Sequence, residues 1–288
     1  MSLKTESNNP RTRGLSASDT LGMLRLINGE DQTVALAVER ALPQIACAVD
    51  ECVARVKAGG KIFYVGCGTS GRLALVDASE IGCTYGVDGV IVAVVAGGKR
   101  GVADASVGNE DSFGGGARAI LRRGVSASDV VIGLSASGGT PYVSGALSAA
   151  KKRGAFTMGI VNNENSAIAR EADLGIELLT GAEVVEGSTR MKAGTAQKMT
   201  LNMISTALMT RLGKVYRNYM INMRPYNEKL RARAVRITSG CADCDETAAR
   251  RALEESDWKI DLAVLIARDG CDRASAERIL AENSGILR

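Results

Sequence analysis

The chain has 288 residues, 45% apolar and 24% charged, with a formal charge of +4. That length can bury a sizeable core in one large domain or two, and the balance is that of an ordinary soluble protein rather than a disordered one. Aromatics at 3% leave few platforms for stacking bases, no apolar segment approaches a membrane span, and the opening MSLKTESNNPRTR lacks a signal-peptide core, so nucleic acid and membrane are both disfavoured as partners.

Residues 1–30 are polar at first; Leu21, Leu24, Leu26 and Ile27 then predict a short helix ending near Asn28. From Asp31, a candidate cap, apolar residues from Val34 to Val56 recur at helical spacing. Pro43 divides or bends this helix, and Gly59 with Gly60 end it.

The stretch that follows, KIFYVGCGTSGRLALVDASE over residues 61–80, organises the rest. Its apolar run at 62–65 is too short for a helix and rich in strand formers. A glycine-hydroxyl loop, Gly66 to Gly71, leads into a helical pattern with Leu73, Leu75 and Val76. Strand, loop and helix in this order aim backbone N–H groups and a helix N-terminus at an anion. The loop is formally G-x-G-x-x-G, which predicts an acid closing the next strand to hold a ribose. The next strand, 90–95, instead runs into Ala96, Gly97 and Gly98, and Asp88 precedes it. A phosphate cradle carrying the hydroxyls of Thr69 and Ser70 is therefore preferred to a nucleotide site. Glycines serving only a tight turn remain the bland alternative for this loop alone.

Further short apolar runs at 130–134, 156–161 and 174–178 read as strands, with helical patterns at 116–123, 141–153 and 166–171 between them. Strands alternating with helices imply an α/β fold with a doubly wound parallel sheet. Five strands fit the order 2-1-3-4-5, in which strands one and three are neighbours and ligands bind beyond their carboxyl ends. Strand three ends in Ser135, Ala136, Ser137, Gly138, Gly139 and Thr140, and Pro141 starts a helix. Capping explains one hydroxyl, not a cluster. Two such loops meeting at one switch point favour a phosphate pocket, and neither carries the lysine of a P-loop.

After Leu179 the character changes. The run GAEVVEGSTRMKAGTAQK at 181–198 interleaves charged and small residues, then leads into a Met-rich helical pattern at 199–212. Arg190 and Lys192 either pair with surface acids or contact a substrate beyond the last strand. A helix is predicted at 226–238, with three short ones around 248–253, 260–266 and 274–280. The basic clusters at 151–153 and 231–236 fall in helical patterns and read as solvated faces. The expected organisation is an N-terminal helical segment (1–58), a central domain with its following long helices (59–240) and a small helical region (241–288).

Seven scattered cysteines, an odd number, point to reduced thiols in a cytoplasm, and the Cys241/Cys244 CxxC reads as two ordinary thiols. There is no histidine. Histidine-based catalytic pairs and histidine-ligated zinc are thus excluded within one chain, and any acid or base must be Glu, Asp, Lys, Tyr or Cys.

Taken together, YVGCGTSGRL with DASE, GNEDS, SASGGTPYV and EVVEGSTRMKAGTAQKM resemble the N-acetylmuramic acid 6-phosphate etherases, bacterial enzymes of the sugar isomerase (SIS) fold. The resemblance runs from TESNNP to the closing GILR. The chain departs from the pattern at Gly139, where arginine is expected, at Asn162, Asn163 and Glu164, where a Cys-Asn-Pro-like loop is expected, and at Glu186, in place of threonine.

The resemblance implies a lyase that opens the pyranose to its aldehyde, removes the C2 proton, expels the lactyl ether at C3 and adds water. It implies no metal and no nucleotide cofactor, a homodimer, and Glu80 and Glu110 as the catalytic pair. It further implies a substrate and phosphate site of Gly68, Thr69, Ser70, Ser135, Ser137, Gly138, Thr140, Ser188, Thr189, Arg190 and Lys192. Glu110 falls in the loop after strand two, on the carboxyl side of the sheet. Glu80 is harder to place, because an unbroken helix from Ser70 would carry it about 15 Å away. Either that helix is interrupted, or Glu80 meets the far end of the sugar or a partner's site. An aldose-ketose isomerase or a non-catalytic sugar phosphate sensor are the competing readings. Lactate production separates the isomerase; the sensor's usual DNA-binding helices or second SIS copy do not fit this length.

Overall fold

A computed structural model describes residues 3–104 and 109–287, so Gly108 of the GNEDS run lies outside the described residues. The described chain divides into two units, Met1–Ser79 with Val90–Ser205, and Glu80–Gly89 with Thr206–Arg288; two of the three boundaries fall within helices, the third just before a strand.

In the first unit, a 20-residue helix α1 (Thr20–Glu39) is followed by α2 (Leu42–Lys57). The sequence pattern predicts a break near Asn28 and a cap at Asp31; the helix instead starts at Asp19, whose side chain accepts from the Gly22 amide at 2.7 Å. The Asp19 carboxylate satisfies one orphan amide of the first turn, that of Gly22, and nothing between Asn28 and Asp31 breaks the ladder. The break comes at Arg40–Ala41, with Pro43 in the first turn of α2, where its missing N–H costs nothing.

Five parallel strands then alternate with helices: β1 (Ile62–Gly66), α3 (Gly68–Tyr85), β2 (Ile91–Val95), α4 (Gly98–Ala103), α5 (Phe113–Leu121), β3 (Val130–Ser135), α6 (Pro141–Lys152), β4 (Phe156–Val161), α7 (Ala167–Glu171) and β5 (Leu174–Glu177). The order is β2-β1-β3-β4-β5, with Gly66 opposite Leu134 and Ser135 opposite Val161. This is the expected five-stranded, doubly wound sheet. Every residue of β1 and β3 is buried, as continuous apolar runs covered on both faces require. Phe63, Val65, Val94 and Val131 pack on one face under Ile120, Val143, Ala146 and Ile168 of α5, α6 and α7. Tyr64 points to the other, toward Cys52 of α2 and Asp77 of α3.

The last long helix, α8 (Lys192–Arg211), starts seven residues before the Met-rich pattern. Its N-terminus is closed by Glu183, a wholly buried carboxylate that accepts from the Lys192 and Ala193 amides at 2.9 Å each. Burial pushes the pKa of Glu183 up, against the pull of those two amides and of the Lys192 charge.

The second unit adds a short hairpin, β6 (Val215–Tyr216) with β7 (Tyr219–Met220), and four helices, α9 (Glu228–Ala242), α10 (Glu246–Glu255), α11 (Ile260–Asp269) and α12 (Arg273–Glu282). Asn227, Asp245 and Asp272 cap α9, α10 and α12. Val235, Leu253, Leu262 and Leu265 sit in its core with Cys241, whose thiol burial pushes up to about 11; Cys241 and Cys244 are both free thiols. No helix among the described residues is long and apolar enough to cross a membrane.

Candidate active site

Two strand ends meet at the switch point. After β1, the chain turns through Cys67 into α3, whose first-turn amides at Gly68, Thr69 and Ser70 have no intrahelical partner. The turn is tight: a Cβ on Gly71 would stand 2.7 Å from the Gly66 carbonyl oxygen and 2.8 Å from Val95 Cγ1, so only glycine lets α3 start here. Burial pushes the Cys67 thiol to about 12, helped by the negative charge of Glu110 and Asp111, which makes it a poor nucleophile near neutrality.

After β3, the 135–140 loop folds its hydroxyls together. Ser135 Oγ lies 2.8 Å from Thr140 Oγ1 and 3.3 Å from Ser137 Oγ, and it accepts the Gly138 amide at 3.0 Å. Gly138 has φ 73, and a Cβ there would meet Ser166 at 2.3 Å; conformation and close approach both demand glycine. Thr140 occupies the N-cap of α6 without capping it. Its hydroxyl donates to Glu110 Oε1 at 3.2 Å instead, while the Tyr142 amide holds the Glu110 carbonyl at 3.0 Å. Glu110 is exposed in the connection between α4 and α5. A cavity of about 370 Å³ is lined by Glu110, Ser137, Gly138, Thr140, Ser166 and Leu3.

Ser70 is placed differently. Its buried hydroxyl donates to Gln197 Oε1 at 2.8 Å, Gln197 Nε2 donates to Asn162 Oδ1 at 3.1 Å, and Asn162 Nδ2 donates to the Leu178 carbonyl at 3.0 Å. This relay joins the β1, β4 and β5 ends to α8. Thr69, Ser188 and Thr189 are half-buried; a Cβ on Gly194 would contact both Thr69 Cγ2 and the Thr189 carbonyl. Arg190 is exposed and has no carboxylate partner among the described residues. Lys192, expected to contact a substrate, is wholly buried with its ammonium 2.6 Å from Glu30, which Arg11 grips from the other side at 2.5 and 2.8 Å. The Arg11 hydrogen bond comes first among the causes that hold the Glu30 carboxyl down at about 2. Glu80 lies in the second unit, exposed on α3, which runs unbroken; the interrupted helix foreseen as one alternative is absent.

Sequence reasoning passed over Ser166, Leu3, Gln197, Glu30 and Glu183. Ser166 had a readable signal, a hydroxyl at the carboxyl end of β4; its Oγ is buried with no hydrogen-bond partner among the described residues. Glu30 and Glu183 had none, since one stands inside an amphipathic helix and the other in a charged loop. Among the described residues no group of three Cys, Asp or Glu is placed to hold a metal ion.

The cradle and its carboxylate can be set beside known proteins. The glucokinase regulatory protein N-terminal SIS domain family matches residues 44–151, and the SIS domain family matches residues 117–207. The chain is 46% identical to the N-acetylmuramic acid 6-phosphate etherase of Clostridioides difficile, over 99% of this chain and 94% of that one. It is 50% identical to the protein of the same name from Symbiobacterium thermophilum, over 91% and 88%. In fold it is similar to phosphoheptose isomerase GmhA from Neisseria gonorrhoeae, with a TM-score of 0.52 at 17% identity, covering 67% of this chain and all of that one. A phosphoheptose isomerase from Francisella tularensis aligns with a TM-score of 0.51 at 16% identity, covering 65% and 98%.

Proposed function

Since the chain belongs to the N-acetylmuramic acid 6-phosphate etherase family, we propose that it cleaves the D-lactyl ether of N-acetylmuramic acid 6-phosphate to N-acetylglucosamine 6-phosphate and D-lactate. The single observation that carries the reading into this chain's own residues is the Thr140–Glu110 hydrogen bond. It sets a carboxylate at the rim of a hydroxyl-lined anion pocket, so one ligand can meet both.

The chemistry balances as follows. The sugar opens to its aldehyde, which acidifies C2, and the Glu110 carboxylate takes the C2 proton. The C3–O bond breaks, its electron pair leaves on the lactate oxygen, and Glu80 supplies the proton that oxygen needs. Water then adds across the unsaturated aldehyde, its oxygen becoming the C3 hydroxyl while a proton returns to C2. One water is consumed and one lactate released.

The phosphate sits on the 135–140 loop, held by Ser137 with Ser135 and Gly138 fixing its geometry, and on the first-turn amides of α3; Thr140, whose hydroxyl proton is committed to Glu110, borders it. Ser70 contributes its amide there; its hydroxyl proton is committed to Gln197. Thr69, Ser188 and Thr189 border the sugar, and the exposed Arg190 meets the substrate's negative charges. Lys192 positions the loop from within.

A homodimer is supported by Leu21, Leu24 and Leu36 on one side of α1, each more than half exposed, and a cytoplasmic setting by seven cysteines held as free thiols. Sedimentation at micromolar concentration should show about twice 30.1 kDa; a 30.1 kDa species alone would remove the dimer. The function itself is tested by incubating the protein with N-acetylmuramic acid 6-phosphate and measuring D-lactate. Ketose formation without lactate would make it an isomerase instead.

A further inference from the structure

The N-terminal segment is part of the pocket wall. Thr5 is wholly buried; its amide donates to Asn163 Oδ1 at 3.3 Å and its hydroxyl accepts from Asn163 Nδ2 at 2.9 Å. The same Nδ2 donates to the Ala136 carbonyl at 3.0 Å and reaches the Ser137 carbonyl at 3.4 Å. One side chain, itself 4% exposed, therefore grips the segment and the anion loop together. Two residues before Thr5, Leu3 lines the cavity beside Glu110 and Ser137. Farther along, Asn8 donates to Glu186 at 3.0 Å, the Thr12 hydroxyl to the Val184 carbonyl at 2.8 Å, and Arg11 joins the Glu30–Lys192 pair. The segment thus ties the loop after β3, the loop after β4 and the run before α8.

The carbonyl contacts have a directional consequence. The Ala136 carbonyl accepts from Asn163 Nδ2 and also from the Asn162 amide at 3.1 Å. In a trans peptide the C=O and N–H point opposite ways, so anchoring that carbonyl on Asn162 and Asn163 turns the Ser137 N–H away from them. That N–H has no partner among the described residues. A free, fixed amide between two hydroxyls is a donor for an anion.

We propose that Asn163 is a positioning residue that couples the N-terminal segment to the anion loop and aims the Ser137 amide at the ligand's phosphate. The proposal rests on the phosphate cradle read above. A merely structural tie would hold the terminus in place and leave the pocket indifferent to it. A positioning role makes the two reciprocal: a ligand that needs the aimed amide must also stabilise the segment, by the same factor.

The test uses inorganic phosphate as the probe, with amide hydrogen exchange of residues 5–12 read alongside affinity. In the wild type, saturating phosphate slows exchange across 5–12. Asn163→Ala weakens phosphate about tenfold, the worth of one hydrogen bond to a charged group, and abolishes that slowing. Thr5→Val, which removes the hydroxyl contact but keeps the Thr5 amide bond and the grip of Asn163 on the loop carbonyls, reduces the slowing with a smaller loss of affinity. It carries the test alone if Asn163→Ala does not fold. Exchange at 5–12 that ignores phosphate in the wild type, or unchanged phosphate affinity in the folded Asn163 variant, overturns the coupling and leaves the cradle standing. A wild type that does not bind phosphate overturns the cradle and this proposal with it.

Discussion

Thr140 caps α6 by position but not by bonding: its hydroxyl proton goes to Glu110 Oε1, 3.2 Å away, and its oxygen lies 2.8 Å from Ser135 Oγ. A helix start has surrendered its side-chain cap to orient a carboxylate. The cost of a missing cap is of order 1 kcal/mol. Pro141 in the first turn, which removes one orphan amide, offsets part of it.

Thr140→Val keeps the shape and removes both contacts. A hydrogen bond to a charged group is worth about 1.5–3 kcal/mol, so kcat/KM should fall roughly 10- to 150-fold with little change in melting temperature. Steady-state lactate release measures it. An unchanged kcat/KM would detach Thr140 from the reaction.

The two carboxylates should separate in deuterium oxide. Glu110→Gln and Glu80→Gln should each lower kcat by roughly 10²–10⁴-fold while substrate still binds. Only Glu110→Gln should stop deuterium entering C2. Wild-type washing of C2 in that variant removes Glu110 as the base, and lactate release undiminished in both variants removes the two-carboxylate mechanism.

The serines should not be equivalent. Ser137→Ala takes away a cradle hydroxyl and should raise KM for the phosphorylated sugar about tenfold. Ser70→Ala leaves its amide in place but frees Gln197, so its effect on KM should be smaller, with a loss of stability of about 1 kcal/mol. Equal KM values for the two variants would contradict this division.

The Glu30 pair gives an acid signature. Its carboxyl is held at about 2, below its ordinary value of 4.5, so the unfolded chain binds more protons between those values. The stabilisation is fully present above about pH 4.5 and is lost as pH falls toward about 2. Thermal melts of wild type and Glu30→Gln should converge across that window. Lys192→Met, which leaves Arg11 as the remaining partner of the buried Glu30, should destabilise by on the order of 3 kcal/mol; a neutral effect would show the pair to be dispensable.

The sheet and its glycine-hydroxyl loops were legible because their causes are local. Strands of five or six apolar residues, Gly66 to Gly71, and Ser135 to Thr140 before Pro141 each declare themselves within a few positions. The parallel order follows from alternation and the handedness of crossovers. The break between α1 and α2 was half legible: Pro43 marks it, while the run from Asn28 to Asp31 imitates a boundary that the helix ignores because Asp19 has already capped it.

Chain-distant pairings were decided only in three dimensions. Nothing near Lys192 announces that Glu30, 162 positions away, will take its charge out of the cavity, nor that Thr5 and Asn163, 158 apart, will meet above the anion loop. Glu110 reads in sequence as a solvated loop acid until Thr140 is seen to hold it. By itself the sequence determined which segments become strands, where the glycine-hydroxyl loops fall and that histidine takes no part. The tertiary structure decided which polar groups line the cavity and which are spent on one another, since a buried charge or amide must take the partner that packing brings within reach.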